Sequence, residues 1–163
     1  MKTHLLFAFA LSITLTLLSS CGKGISSKDG LIDWDRVRST LVITLPDNSQ
    51  VAVDNALYYS DLPDSQDCSS VLAFFTNKER GIFLDLSLLF EKGKTEVGKE
   101  MDFRRVSFSF STSSNSNDYT QTYTGHIYLD GIGDSGILLR MQDVTFTIAR
   151  GTYRLNGQLV CRQ

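Results

Sequence analysis

Residues 82–90 read IFLDLSLLF, and this stretch decides the fold class. In a β-strand, successive side chains point to opposite faces. One face of the predicted strand is entirely apolar: Ile82, Leu84, Leu86, Leu88 and Phe90. The other face mixes apolar and polar side chains: Phe83, Asp85, Ser87 and Leu89. The stretch therefore predicts a strand with one face in a hydrophobic core and a second face that is only partly polar.

Similar alternation of apolar and polar residues continues on both sides of this stretch. Residues 103–111 place Val106, Phe108 and Phe110 on one face and serines on the other. Further strands are predicted over residues 41–45, 51–58, 71–76, 122–129, 137–141 and 144–149. The intervening residues are interpreted as a charged connection at 91–100, a loop at 112–121 and a glycine-rich turn at 130–136.

The final segment admits two interpretations. Asn156-Gly157 is a strong hairpin signal, yet a single strand through it separates apolar from polar residues more cleanly. Tyr153, Leu155 and Leu159 then share one face with Cys161. The single strand is therefore favoured, with Gly157 as a bulge or a site of close approach.

These segments predict an all-β fold, an antiparallel meander of about eight or nine strands joined mostly by short links. A sheet of this size must close or fold over, because open edges invite aggregation. A barrel-like, lipocalin-like shape and a two-sheet sandwich both meet this requirement. The sequence leaves both open, with the succession of hairpins favouring the barrel.

The N-terminus carries a separate signal. Lys2 supplies positive charge, residues 5–18 are mostly apolar, and the run ends in Leu18-Ser19-Ser20-Cys21. Its length of about 14 residues is short of the roughly 20 that span a bilayer and is typical of a secretory signal. The last four residues resemble the lipobox of bacterial lipoproteins. The resemblance implies that the Cys21 thiol carries a diacylglyceryl group with palmitate-type chains. An ordinary signal peptide with a chance cysteine is the alternative.

The resemblance also implies a cellular location and a domain organisation. Residues 1–20 would be the signal peptide, 21–30 a flexible tether and 31–163 a single β domain. The membrane would be a partner through the lipid on Cys21. Residue 22 is Gly rather than the Asp that marks inner-membrane retention in enterobacterial lipoproteins. We therefore expect the chain in the bacterial cell envelope, at the outer membrane.

Two cysteines remain once Cys21 is lipidated, Cys68 and Cys161. An exported chain enters an oxidising compartment, which predicts one disulfide between them. Two separate buried thiols are the alternative. A redox role is not expected, because the pair lacks the C-x-x-C spacing.

Composition and motifs exclude several functions. The formal net charge is -2 and no basic block occurs, so nucleic acid is not an expected partner. His126 is the sole histidine of the mature chain, too few for a zinc site, and no metal or cofactor is predicted. A hydrolase would have to use His126 or a carboxylate pair. We expect a protein that is not an enzyme.

The remaining expectation is binding. Aromatic and apolar residues occur on strand faces that need not belong to the core, and they are the predicted ligand-contacting residues: Tyr58, Tyr59, Phe74, Phe83 and Leu89. They predict a lipid-anchored module that binds a small apolar ligand, a glycan or an envelope protein. A structural or assembly lipoprotein with a filled core is the alternative. The space between the strands, empty or packed, separates the two.

Overall fold

The computed structural model of the protein describes residues 32–53, 56–62, 67–77, 82–112 and 115–163. Within these ranges the chain is all-β, as predicted, with a short 3-10 helix at Lys92–Lys94. The described residues form ten strands: β1 (Leu41–Thr44), β2 (Gln50–Val53), β3 (Ala56–Tyr59), β4 (Cys68–Asn77), β5 (Ile82–Glu91), β6 (Arg105–Thr112), β7 (Asn115–Thr120), β8 (Thr124–Gly133), β9 (Gly136–Ile148) and β10 (Gly151–Arg162).

The ten strands form one mixed sheet that is not closed. Consecutive antiparallel pairing runs from β3 to β7 and again from β8 to β10. Strand β10 joins these two groups, because it pairs with β9 on one side and with β1 and then β3 on the other. The β3–β10 pairing is parallel, so the sheet departs there from the predicted antiparallel meander.

The two groups of strands face each other across a packed interior. The Phe108 ring of β6 stacks on Phe146 of β9 at 4.6 Å between centroids and lies 5.1 Å from Tyr153 of β10. All three side chains are at most 1% exposed. The void lined by Leu41, Leu86 and their neighbours is about 10 Å³, the size of one water probe. This arrangement is compatible with both a barrel-like shape and a sandwich.

Strand β5 confirms the alternation that predicted it. Leu84, Leu86 and Leu88 are each at most 3% exposed, whereas Phe83 is 46% exposed. Antiparallel neighbours on both sides, β4 and β6, fix this strand in register. A slip of one residue would move the whole apolar set to the solvent face, so the core specifies this register strongly.

Two predicted loops belong to strands instead. Residues 115–120, interpreted as part of a loop, form β7, because their backbone pairs with β6 although the side chains are polar. The turn predicted at 130–136 is shorter, since β8 extends to Gly133 and β9 begins at Gly136.

Strand β9 also runs without a break through Asp143, whose φ is 52°. The Asn156 side chain accepts a hydrogen bond from the Asp143 N–H at 2.8 Å and stabilises this kink.

The charged connection after β5 also has a structural role. Its residues 98–101 lie along the edge of β8 that β9 does not use. Gly98 N–H donates to the Leu129 carbonyl at 2.7 Å, and Met101 N–H donates to the Ile127 carbonyl at 2.8 Å. Met101 is 6% exposed. The connection therefore covers part of a sheet edge that would otherwise be open.

The last strand is continuous, as predicted. Strand β10 has a register shift between Leu155 and Gly157, and Gly157 has φ 116°. A Cβ built on Gly157 would overlap the carbonyl oxygen of Thr40. Both parts of the expectation hold: Gly157 is a bulge and a site of close approach.

Replacing Gly157 with Ala is expected to destabilise the fold, since alanine meets both an unfavourable φ and a backbone clash. The expected loss is about 1–3 kcal/mol in the free energy of unfolding, measured by chemical denaturation. Gly93→Ala is the matched control, because nothing lies within 4 Å of a Cβ built there. Equal effects at the two sites would contradict the close approach.

Candidate functional site

Among the residues whose burial the structure describes, the most exposed large apolar side chains lie on one surface. Leu57, Tyr59, Phe83 and Tyr119 are 46%, 43%, 46% and 64% exposed. All four belong to strands β3, β5 and β7 and point away from the core. We call the solvent side of strands β3–β7 the outer face. Exposed apolar residues gathered on one face are typical of an interaction surface.

Cross-strand pairing sets polar groups between these apolar residues. Tyr59 pairs with Ser70, which in turn pairs with Leu89 on β5. Farther along, Asp85 pairs with Ser109 of β6, and Ser109 pairs with Tyr119 of β7. The outer face therefore presents hydroxyl groups and the Asp85 carboxylate among rings and aliphatic chains.

Asp85 is the acidic group at the centre of this face. Its side chain is half-buried, and burial raises the pKa of its carboxyl above the usual value because the charged form is poorly solvated there. A carboxyl that loses its proton at unusually high pH destabilises the folded state once it is ionised.

A groove of about 440 Å³ lies beside the outer face, at the start of β6. We call it the arginine groove. Its lining comes from the end of β5, the start of β6 and the connection that follows β7: Leu89, Phe103, Arg104, Arg105, Val106, Gln121 and Tyr123. Its volume falls in the range of small-ligand sites. Apolar walls with two cations suit a ligand that is both apolar and anionic.

The two arginines differ in their partners. Arg104 Nε lies 3.4 Å from Glu91 Oε1, and its Nη1 donates to the Cys68 sulfur at 3.3 Å. The contact with Cys68, followed by the charge of Glu91, raises the pKa of Arg104. Glu91 is closer to Lys94, at 2.9 Å, and this hydrogen bond lowers its pKa. Arg105 has no ion-pair partner within the described ranges.

The opposite wall of the groove, Gln121 and Tyr123, carries no charge of its own. Burial raises the pKa of Tyr123, and the nearby charges of Glu100 and Asp102 raise it further. The Tyr123 ring also lies 5.9 Å from Phe146, so it links the groove to the core. The hydroxyl therefore stays protonated and available as a hydrogen-bond donor at neutral pH.

The predicted ligand-contacting residues do not gather around an interior cavity. Tyr58 is 4% exposed, and its hydroxyl lies 3.5 Å from Ser69 Oγ. Burial raises the pKa of Tyr58. Tyr59 and Phe83 lie on the outer face, and Leu89 lines the arginine groove. Phe74 belongs to β4, but its side chain lies outside the described residues.

Sequence reasoning missed the groove's other residues. Arg104, Arg105 and Phe103 precede or begin a strand, where an isolated charged or aromatic side chain is unremarkable. Their convergence with Gln121 and Tyr123 depends on where the chain returns after β7. The two consecutive arginines were the one available signal, although two adjacent charges carry little information without the register.

His126 has an acidic partner. Its Nδ1 lies 2.9 Å from Glu100 Oε1, and both side chains are about half exposed. A carboxylate can orient a histidine in this way in a hydrolase. In the described part of the chain, however, the other ring nitrogen has no hydrogen-bonded Ser, Thr or Cys. The pair links β8 to the connection that covers its edge.

The described ranges contain no group of three or more His, Cys, Asp or Glu side chains that could hold a metal ion. In the same ranges, no helix has the length and apolar character required to cross a membrane.

The predicted disulfide is not formed. Cys68 and Cys161 are both buried and are not bonded to each other. Strand β10 meets β3 so that Cys161 comes level with Ala56, and Ala56 pairs with Ala73 of β4. Cys68 lies five residues before Ala73, about 16 Å along the strand, whereas a disulfide requires Cα atoms within about 7 Å. The relative register of β4 and β10 therefore keeps the thiols apart. Cys21 lies outside the described residues.

No protein-family model, curated protein or solved structure matches this chain. The outer face, the arginine groove and the N-terminal sequence are therefore the features that bear on its function.

Asp85→Asn is expected to stabilise the fold at neutral pH. Because the folded-state pKa of Asp85 is raised, wild-type stability falls as pH rises from the unfolded pKa of about 4 through the folded value. The gain in melting temperature should therefore be larger at pH 7 than at pH 3.

Asp61→Asn is the control with the opposite sign. The hydrogen bond from Lys92 lowers the pKa of Asp61, so its contribution to stability is present above the unfolded pKa and disappears in acid. This variant should lose stability at pH 7 and match the wild type at low pH. Identical pH profiles for the two variants would contradict the assignments.

Proposed function

We propose that this chain is a lipid-anchored protein of the bacterial cell envelope that binds a partner through its outer face and does not act as an enzyme. The observation that carries the proposal is the set of exposed apolar side chains on the outer face, Leu57, Tyr59, Phe83 and Tyr119. Leaving these groups in water is unfavourable unless a partner covers them.

The packed interior supports a surface site. A void of about 10 Å³ admits no apolar ligand, whereas such ligands need several hundred Å³. Rings that would line an internal cavity, such as Phe108 and Tyr153, are instead in contact with each other. A filled core is the arrangement expected of an assembly or partner-binding lipoprotein.

The N-terminal sequence supports the proposed location in the cell envelope. The apolar run, the small residues Ser19 and Ser20, and Cys21 form a pattern that resembles the lipobox. Lipidation would anchor the domain to a membrane, at the outer membrane if Gly22 is interpreted as in enterobacteria. Residues 21–30 would then supply the spacer between the lipid and the fold.

A second candidate is the binding of a small apolar or glycan ligand in the arginine groove. It is favoured by the groove's volume of about 440 Å³ and by the apolar walls contributed by Leu89 and Phe103. In both cases the ligand binds outside the core.

Cys21→Ser is expected to abolish lipidation. Cells fed a clickable palmitate analogue should label the wild-type chain and not the variant, because the thioether that carries the lipid cannot form. The wild type should fractionate with membranes, and the variant should accumulate as the unprocessed precursor. Cys68→Ser is the matched control and should keep the label. Labelling of Cys21→Ser would contradict the anchor.

A photo-crosslinking amino acid in place of Phe83 is expected to join the protein to a partner in intact cells. Phe83 is 46% exposed, so a larger aromatic side chain fits there without disturbing the core. The control places the same amino acid at Thr147, an exposed residue of β9. Equal adducts at both positions, or none at position 83, would contradict a partner on the outer face.

A further inference from the structure

Strand β6 has β5 on one edge and β7 on the other, and it begins before its pairing with β7 does. Strand β5 pairs with β6 from Arg105 onward, but β7 pairs only from Phe108 onward. The other edge of residues 105–107 therefore faces no strand in the described part of the chain. No backbone hydrogen bond joins these residues to 121–123, the segment that leaves β7. An edge of this kind presents unpaired N–H and C=O groups.

The arginine groove lies along this open edge. Arg105 and Val106 supply one wall, and Gln121 and Tyr123 supply the other. Leu89 is the cross-strand partner of Arg105 and extends the apolar wall onto β5. An extended peptide that adds to a sheet edge gains affinity from backbone hydrogen bonds and specificity from pockets for alternate side chains. The open edge and the groove together provide both.

The charges of the groove's side chains indicate the charge of the peptide that would bind there. Arg105 has no ion-pair partner among the residues that the structure describes. Arg104 shares Glu91 with Lys94, and the lysine is the closer of the two. The β6 side of the groove therefore carries cationic charge that Glu91 only partly neutralises, whereas Glu100 and Asp102 lie near the Tyr123 side. Arginine binds carboxylates through parallel hydrogen bonds, so the complementary group is an aspartate, a glutamate or a C-terminal carboxylate.

The position of the groove favours a protein partner over the headgroups of the anchoring membrane. Ile32, the first described residue, lies against Gly131 near the end of β8. Tyr123 directly precedes the start of β8. The strand from Thr124 to Gly131 has seven residue-to-residue steps, which separate these ends by about 23 Å. The groove therefore lies at the opposite end of β8 from the point where the tether enters the fold.

We infer that the arginine groove receives an extended acidic peptide segment, which adds as a strand to the open edge of β6 at residues 105–107 with its carboxylate on Arg105. The inference rests on the proposed function and names the chemistry of the partner. Leu89 and Phe103 contact the apolar side chains of the added strand.

The test uses the full chain, purified in detergent, and a short fluorescent peptide of alternating valine and threonine that ends in aspartate. Fluorescence anisotropy should show saturable binding. Arg105→Glu should weaken it about tenfold or more, as expected for loss of a charge-assisted contact. A matched peptide that ends in a lysine amide should bind Arg105→Glu more tightly than the wild type. Arg154→Glu makes the same charge change at an exposed site on β10 and should leave binding unchanged.

A second probe tests strand addition itself and needs no variant. The same aspartate peptide with alternate backbone nitrogens methylated cannot donate the edge hydrogen bonds, so its binding to the wild type should be lost. Equal binding of both peptides would overturn the inference in favour of a small carboxylate ligand. Absence of saturable binding, or equal weakening by Arg154→Glu, would also overturn it.

Failure of these peptide tests is distinguishable from failure of the proposed function. Palmitate labelling at Cys21 and crosslinking at position 83 depend neither on Arg105 nor on the edge of β6. Chain that is labelled and crosslinked but binds no peptide would retain the envelope role and remove only the strand-addition site.

Discussion

The structure depends on one strand that must be paired along both edges. β10 hydrogen-bonds to β9 along its length, and its other edge receives β1 and then β3. The chain can approach that closely only because Gly157 has no Cβ to meet the Thr40 carbonyl. The bulge therefore lets β1 pair with β10, while the pairing of β10 with β3 joins the two groups of strands.

Joining the two groups determines how the interior is filled. The inward rings of Phe108 and Phe110 from β6 pack against Phe146 of β9 and Tyr153 of β10. These ring contacts fill the space between β6 and the pair formed by β9 and β10. The outer face and the arginine groove are adjacent, since Leu89 belongs to both.

Several features of the site could be anticipated from the sequence and several could not. The partly apolar second face of 82–90 predicted the exposed Phe83 and the groove residue Leu89, because strand alternation is a local property. Tyr58 was expected to contact a ligand, yet its side chain is buried. Which face of β3 points into the core depends on how β3 pairs with β4, and that pairing is not evident from the sequence. The disulfide between Cys68 and Cys161 was expected because an exported chain enters an oxidising compartment and only two cysteines remain. In the structure, the relative register of β4 and β10 keeps the two thiols apart.

The sequence alone determined the all-β class, the buried face of β5 and the continuity of β10, and it predicts lipidation at Cys21. These follow from side-chain period, turn chemistry and a local motif, none of which requires knowledge of distant contacts. Only the tertiary structure decided that β10 joins two groups of strands, that residues 115–120 form a strand and that β6 keeps an open edge beside two arginines. Those features depend on which backbone groups pair across long separations in the chain, and backbone hydrogen bonds are the same for every residue type except proline.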